Sequence, residues 1–175
     1  MSVQSFRKEQ RDVDREKCFL AAHAAGHDRI YRYFRRRTEN AATAEDLCAE
    51  VFRIAWEKTG QEESLSVMVL FGIAKNVLRN HDRSASRSVN LLGALQLERD
   101  HERNDDDSRI HEALARLGPD DREVLLLTYW DGFSSSEVSD LLDTSATAVR
   151  MRLHRARKAL GRLLDTESLS EGAKR

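Results

Sequence analysis

The residues from Ser134 to Leu160, SSSEVSDLLDTSATAVRMRLHRARKAL, have the chemistry of a nucleic-acid binder. Between Thr144 and Arg162 the chain has five Arg and one Lys but no Asp or Glu, although its overall net charge is only −1. Positive charge concentrated in this way attracts the phosphates of nucleic acid. Solvated surface helices usually mix acids with their bases, so the pattern favours a nucleic-acid-binding segment.

Two short helices joined by a tight turn are expected to position these cations. Ser134 and Glu137 form a capping-box pattern, which predicts that the first helix starts there. Its apolar face consists of Val138, Leu141 and Leu142. Asp143 and Thr144 are predicted to make the turn, and Ser145 is the expected N-cap of the second helix.

The second helix, Ser145–Leu160, is predicted to have one face for a protein core and one for a DNA groove. The core stripe recurs at steps of three to four residues and comprises Val149, Leu153, Ala156, Leu160 and Leu164. A recognition helix reads bases mainly near its N-terminal end. We therefore expect base contacts from Thr147, Arg150, Met151, His154 and Arg155. Phosphate contacts are expected from Ser145, Arg152, Arg157 and Lys158.

Composition narrows the class of protein that carries these helices. With 175 residues the chain has room for one domain or two small ones, and its single Pro argues for helices rather than an extensive sheet. No apolar run approaches the roughly 18–20 residues that span a bilayer, and the N-terminus lacks a signal-peptide core. These features predict a cytoplasmic, all-α protein. Cys18 and Cys48 are expected to be reduced thiols in or near the core.

A break in composition at 84–108 divides the chain. Between Glu98 and Asp107 there are six acids and two Arg, and the segment lacks sustained helical periodicity. We predict two small helical domains, 17–83 and 109–164, joined by a flexible linker over 84–108. An N-terminal extension, 1–16, precedes them, and a frayed tail, 165–175, follows. The second domain should include a helix boundary at Gly118-Pro119 and an apolar helix, REVLLLTYW.

The first domain is predicted to contain helices over Phe19–Arg37, Ala44–Lys58 and Val67–Arg83. In the second of these helices the expected buried face comprises Leu47, Val51, Ile54 and Ala55. Its other face leaves Glu45, Asp46, Glu50 and Arg53 for solvent or a partner. The pattern alone does not choose between these two uses.

The third helix of this domain has a second polar stripe that could meet DNA. Its buried stripe comprises Val67, Leu70, Phe71, Ala74, Val77 and Leu78. The opposite side and its flanks carry Gly72, Lys75, Asn76, Arg79, Asn80 and Arg83. Asn can pair with base edges and Arg can hold phosphate, although exposed Asn and Arg on a helix are as often plain solvent contacts.

Three segments taken together resemble the extracytoplasmic-function (ECF) sigma factors of bacterial RNA polymerase. They are TAEDLCAEVFRIAW, LFGIAKNVLRNHDR and ALARLGPDDREVLLLTYWDGFSSSEVSDLLDTSATAVRMRLHRARKAL. Their order and spacing match the family's two-domain plan over about 17–83 and 110–164. The resemblance implies that the first domain is sigma region 2 and the second is sigma region 4.

The resemblance also implies partners and roles for particular residues. Region 2 would dock on the clamp coiled coil of the polymerase β′ subunit through a motif containing Asp46, Glu50, Phe52, Arg53 and Trp56. The third helix and the loop before it would open the −10 element and hold a flipped base. The helix positions that match the family there are Lys75, Asn76, Arg79, Asn80 and Arg83. Region 4 would place the Ser145–Leu160 helix in the −35 major groove and contact the β flap.

An anti-sigma factor is a further implied partner. The polymerase performs the nucleotidyl transfer, so the resemblance implies neither an enzyme nor a cofactor, metal, small-molecule substrate or membrane insertion.

The chain departs from the family pattern at several positions. Ala49 stands where the family often has Gln, Asn80 replaces a common Asp, and Ser139 takes a position usually filled by Ala. Val67-Met68-Val69 lies where the family has a Trp. The predicted melting loop, Thr59–Ser66, has two Glu and no aromatic or basic residue, which is unfavourable beside single-stranded DNA.

Two other functions are considered. A conventional helix-turn-helix regulator would bind a palindromic duplex tightly without polymerase, whereas a sigma factor would bind free DNA weakly and read an asymmetric two-part promoter. The acidic helix and the two separate DNA-facing stripes favour the sigma factor. A metal-dependent hydrolase could use His23 and His27, but no HExxH motif or third ligand accompanies this pair.

Overall fold

A computed structural model describes residues 3–59, 65–89 and 105–172, and the side chains of 9–59, 65–85 and 109–165. The helices in this part of the chain are α1 (Val3–Arg35), α2 (Ala41–Lys58), α3 (Val67–Val89), α4 (Asp105–Ala115), α5 (Pro119–Leu125), α6 (Ser135–Leu142) and α7 (Ala146–Gly172). A π-helical turn over Leu126–Trp130 follows α5. The predicted all-α class is confirmed. None of the described helices is long and apolar enough to cross a membrane.

The chain forms two compact units, Met1–Asp100 and His101–Arg175. In the first unit α1, α2 and α3 pack against one another. Its fully buried large side chains are Ile30, Tyr33, Phe34, Val51, Leu70 and Phe71. Gly26 permits a close approach of α1 to α3, because a Cβ at this position would lie 2.4 Å from Leu70 Cδ1.

The start and the buried face of α2 differ from the prediction. Asn40 caps the helix by accepting a hydrogen bond from the Thr43 amide at 2.8 Å, so α2 begins at Ala41 rather than Ala44. Its buried residues are Ala44, Cys48, Val51, Phe52 and Ala55. The predicted face was therefore partly wrong. Leu47 and Ile54 are only half-buried, and the packing against α1 takes Phe52 instead.

Helices also extend beyond the predicted ends. α1 begins at Val3 rather than Phe19, and α3 continues from Arg83 to Val89. The expected frayed tail is helical as far as Gly172. The N-terminal stretch has no Gly or Pro before Gly26 and is rich in good helix formers, which explains a helix without a strong apolar stripe. The predicted linker is thus helical at both ends, and its residues 90–104 lie outside the described part.

In the second unit α7 packs against α4, α5 and α6. The buried side chains of this unit include Leu114, Val124, Leu125, Val138, Val149, Leu153 and Ala156. The apolar stretch predicted as one regular helix ends in the π-helical turn, where the Asp131 amide donates to the Leu126 carbonyl at 3.0 Å. Tyr129 and Trp130 are exposed on this turn, whereas Leu127 is buried. Gly132, with φ +79°, ends the turn in a conformation that suits glycine.

Candidate nucleic-acid interface

Local hydrogen bonds build the helix-turn-helix and confirm its predicted boundaries. Ser134 Oγ accepts from the Glu137 amide at 3.3 Å, and the Ser134 amide donates to Glu137 Oε2 at 2.8 Å. Asp143 adopts the left-handed conformation, with φ 52°, and so turns the chain between the helices. Ser145 Oγ then accepts from the Ala148 amide at 3.1 Å and caps α7.

The two faces of α7 lie where the periodicity places them. Val149, Leu153 and Ala156 are buried, while Leu160 and Leu164 are half-buried. All five side chains that were predicted to touch bases are exposed: Thr147, Arg150, Met151, His154 and Arg155. Met151 is 62% exposed, which is high for an apolar side chain in a folded unit. This basic face of α7 is therefore accessible to a partner, and contact with bases stays a prediction.

One hydrogen bond organises the N-terminal half of this face. Arg150 Nη2 donates to Thr147 Oγ1 at 3.0 Å, one turn back along α7. The bond restrains the guanidinium along the helix surface and leaves its other N–H groups available. A guanidinium with free N–H groups can form the paired hydrogen bonds that guanine offers in the major groove.

The predicted phosphate contacts have protein partners that the sequence did not reveal. Arg157 Nη1 donates to Tyr129 Oη at 3.3 Å, across 28 positions of the chain. Arg152 Nη1 lies 3.1 Å from Asp120 Oδ2, which belongs to the first turn of α5. Lys158 is exposed, and the Ser145 hydroxyl acts as the helix cap. No local pattern could identify Tyr129 or Asp120, because only the packing of α5 and the π-helical turn on α7 brings them close.

The polar stripe of α3 repeats this arrangement in the first unit. Asn76, Arg79, Asn80 and Arg83 are exposed, and Lys75 is half-buried. Arg79 Nη2 donates to Asn76 Oδ1 at 3.0 Å, again one turn back. The loop predicted to hold a flipped base is Thr59–Ser66, and its residues 60–64 lie outside the described part of the chain. Its two ends are buried at Thr59 and Leu65, and Thr59 Oγ1 donates to the Ala55 carbonyl at 2.7 Å.

Ion pairs within α2 organise part of its exposed face. Arg53 makes two hydrogen bonds of 2.7 Å to the Glu50 carboxylate and also pairs with Glu57. The hydrogen bond from Arg53 lowers the pKa of Glu50, and the same bond with its charge raises the pKa of Arg53. Surface pairs of this kind contribute little to stability, but they hold both side chains in place. Asp46 is exposed, and the described ion pairs of Arg53 with Glu50 and Glu57 do not include it.

Of the two aromatic residues predicted to contact a partner through α2, only Trp56 is exposed, at 39%. Phe52 is 6% exposed and packs between α1 and α2. Its ring centroid lies 4.5 Å from that of His23 and 5.8 Å from that of His27. Phe52 thus supports the α2 surface from beneath, and its direct contact with a partner stays a prediction.

The histidine pair of α1 belongs to this aromatic packing. His23 and His27 have ring centroids 4.8 Å apart, and burial followed by repulsion from His27 lowers the pKa of His23. Among the residues that the structure describes, no group of three or more His, Cys, Asp or Glu could hold a metal ion. Cys18 and Cys48 are free, as predicted, and burial raises the pKa of the Cys48 thiol to about 11.

Comparison with known proteins gives consistent matches over both units. The family Sigma-70, region 4 matches residues 107–160. The ECF RNA polymerase sigma factor SigL of Mycobacterium tuberculosis is 31% identical over an alignment of 142 residues that covers 75% of this chain and 80% of SigL. The RNA polymerase sigma factor CarQ of Myxococcus xanthus is 32% identical over an alignment of 147 residues that covers 78% of this chain and 83% of CarQ.

A solved structure has the same fold. It is the sigma factor RpoE in complex with the anti-sigma factor NepR from Bartonella quintana. The TM-score is 0.60 at 22% identity, over 93% of this chain and 98% of that chain.

Proposed function

The chain belongs to the ECF sigma factors of bacterial RNA polymerase, and from that premise we propose how its two units direct core polymerase to promoters. Residues 17–83 act as region 2, 109–164 as region 4, and 84–108 as the linker between them. The observation that carries the proposal is the exposed basic face of α7. This helix is the second helix of the helix-turn-helix, and the face lies within the match to region 4.

Region 4 reads the −35 element by placing α7 in the major groove. Arg150, already held by Thr147, is the best placed to form paired hydrogen bonds with a base edge. Met151 and His154 add apolar and polar contacts on the same exposed face. Arg152, Arg157 and Lys158 neutralise phosphates at its borders. The first two must then share their guanidinium groups between DNA and the partners Asp120 and Tyr129.

Region 2 reads and opens the −10 element through the polar stripe of α3. Asn76 and Asn80 offer donors and acceptors to bases, while Arg79 and Arg83 offer charge to the backbone. Unpairing and flipping a base costs a few kcal/mol, which contacts to the opened strand must offset. The buried ends of the 59–66 loop, at Thr59 and Leu65, give that loop fixed anchor points for this role.

The same unit binds core polymerase through the exposed face of α2. One side of this helix carries an acid at Asp46, the Glu50–Arg53 ion pair and the aromatic ring of Trp56. The partner surface is the β′ clamp, and region 4 contacts the β flap. The polymerase performs all of the chemistry, since ECF sigma factors are transcription initiation factors rather than enzymes. The protein acts in the cytoplasm, where the polymerase is.

An anti-sigma factor is the remaining partner that we propose. The related RpoE is held by such a protein in its solved structure. An anti-sigma factor for this chain would compete with polymerase for the exposed face of α2.

Selection from a random duplex library separates this proposal from a conventional helix-turn-helix regulator. The library is selected by the full chain alone and, in parallel, by the chain with core polymerase. A sigma factor enriches an asymmetric site with two separated elements, and only when polymerase is present. Enrichment of one palindromic element by the chain alone would contradict the proposal and support the regulator.

A further inference from the structure

Arg15 makes an unusual pair of contacts with Trp56. Its Nη2 donates to the Trp56 carbonyl oxygen at 2.7 Å, and its Cζ lies 4.3 Å from the centroid of the Trp56 ring. From the same helix, Phe19 meets the Trp56 ring edge-on at 5.2 Å and 82°. Trp56 nevertheless stays 39% exposed, so one part of the ring still faces outward.

Both contacts of Arg15 have a clear physical basis. The last four carbonyls of a helix lack partners within that helix, and Trp56 lies in the last turn of α2, which ends at Lys58. A cation at this position also meets the negative end of the helix dipole. A planar guanidinium can donate a hydrogen bond in its plane while it stacks on an indole ring with its face.

Resting on the polymerase-binding role proposed above, we propose that Arg15 is a positioning residue that holds Trp56 in the orientation in which it contacts core polymerase. Exposed Trp side chains contribute strongly at protein interfaces, and an orientation fixed before binding removes part of the entropy cost of docking. Arg15 is itself half-buried, and its Nε is fully buried. It therefore acts through Trp56 rather than by direct contact with the partner.

Arg15 also connects the end of α2 to a part of α1 that precedes the region-2 resemblance. Residues before Lys17 fall outside the region-2 resemblance, yet the helix that contains them reaches the end of α2 through Arg15. Within the N-terminal extension, Arg15 thus supports the polymerase-binding surface.

The test uses the full chain carrying Trp130→Phe, so that Trp56 is its only Trp. In this background Arg15→Ala, Arg15→Lys and the control Arg11→Ala are compared. Arg11 lies one turn earlier on α1 and is exposed, so its replacement changes the charge equally. Two quantities are measured, namely acrylamide quenching of Trp56 fluorescence and the Kd for core polymerase.

Arg15→Ala should increase the quenching and weaken core binding by about two- to tenfold, which is the loss expected from freeing one ordered side chain. Arg15→Lys keeps the charge and a donor but not the planar face. Its quenching and its Kd for core polymerase should therefore lie between those of the parent chain and those of Arg15→Ala. Arg11→Ala should change neither quantity. If Arg15→Ala unfolds α1, seen as a loss of helical circular dichroism, the folded Arg15→Lys decides the test.

A double-mutant cycle identifies the route of the effect. With Trp56→Ala already present, Arg15→Ala should cost no further core affinity. An equal loss in both backgrounds would overturn the positioning role and make Arg15 a direct contact. Unchanged quenching and affinity in Arg15→Ala would overturn it as well. If the parent chain fails to bind core polymerase at all, the proposed function fails and this inference falls with it.

Discussion

At the scale of single residues, the two candidate DNA surfaces share one kind of side-chain hydrogen bond. Arg150 donates to Thr147 and Arg79 donates to Asn76, each at 3.0 Å and each one helical turn back. The short partner holds the long side chain near the helix surface, so less conformational entropy remains to be lost on binding. The spacing of these pairs is visible in the sequence, because residues three apart on a helix are neighbours.

Replacing Arg150 should change which DNA sequence is read. We expect Arg150→Ala to cost about 1–3 kcal/mol in recognition of the −35 element and to relax base preference at one position. The measurement is binding of the polymerase holoenzyme to a panel of −35 variants.

Arg157→Ala provides the comparison, because Arg157 is assigned to phosphate. It should weaken binding equally across the panel and make the salt dependence shallower. An unchanged base preference in Arg150→Ala would contradict its base contact. A sequence-selective loss in Arg157→Ala would show that the two roles are reversed.

The lowered pKa of His23 predicts a pH dependence of stability. Folded His23 binds a proton less readily than the unfolded chain, whose pKa has the ordinary value of 6.5. The contribution of His23 to the stability of the first unit is therefore fully present above pH 6.5 and is lost as the pH falls below that value. His23→Phe keeps an aromatic ring against Phe52 and should flatten this dependence.

Urea unfolding from about pH 7.5 to 5.5 checks this prediction across the range in which His titrates. Trp56 fluorescence in the Trp130→Phe background reports the first unit. The control His154→Phe changes an exposed His of the other unit and should leave the pH dependence intact. If the unfolding free energy of His23→Phe depended on pH as steeply as that of the parent chain, another group would be responsible.

At the scale of elements, local rules succeed where one segment contains the whole signal. Ser134, Glu137, Asp143 and Ser145 set the helix-turn-helix boundaries by hydrogen bonds within three or four residues, and the sequence predicts all of them. The π-helical turn was missed, because the stretch VLLLTYW has the same apolar pattern as a regular helix. The buried role of Phe52 was missed because it depends on rings from α1.

The capping box of α6 should have a measurable effect on stability. Ser134→Ala removes the acceptor for the Glu137 amide and should cost about 1 kcal/mol of unfolding free energy in the second unit. Urea unfolding of the full chain in a Trp56→Phe background, followed by Trp130 fluorescence, reports that unit. The control is Ser136→Ala, an exposed position within α6. Equal effects of the two substitutions would show that the loss reflects helix propensity rather than capping.

At the scale of the whole molecule, composition and periodicity predict two helical units, but not everything that joins or supports them. Acidic, aperiodic sequence indicates the division near 84–108, yet α3 and α4 extend into both ends of that segment. The contacts Arg15–Trp56, Arg152–Asp120 and Arg157–Tyr129 connect distant parts of the chain. Such contacts depend on tertiary packing, which no window of sequence contains.

The central claim is that this chain gives core polymerase its promoter specificity. Run-off transcription tests it most directly, with purified core polymerase, fragmented DNA from the source organism, and the chain either present or absent. We expect new transcript starts that share two upstream elements and appear only with the chain. The account would be contradicted if the chain neither bound core polymerase nor produced new starts, while binding a specific duplex by itself.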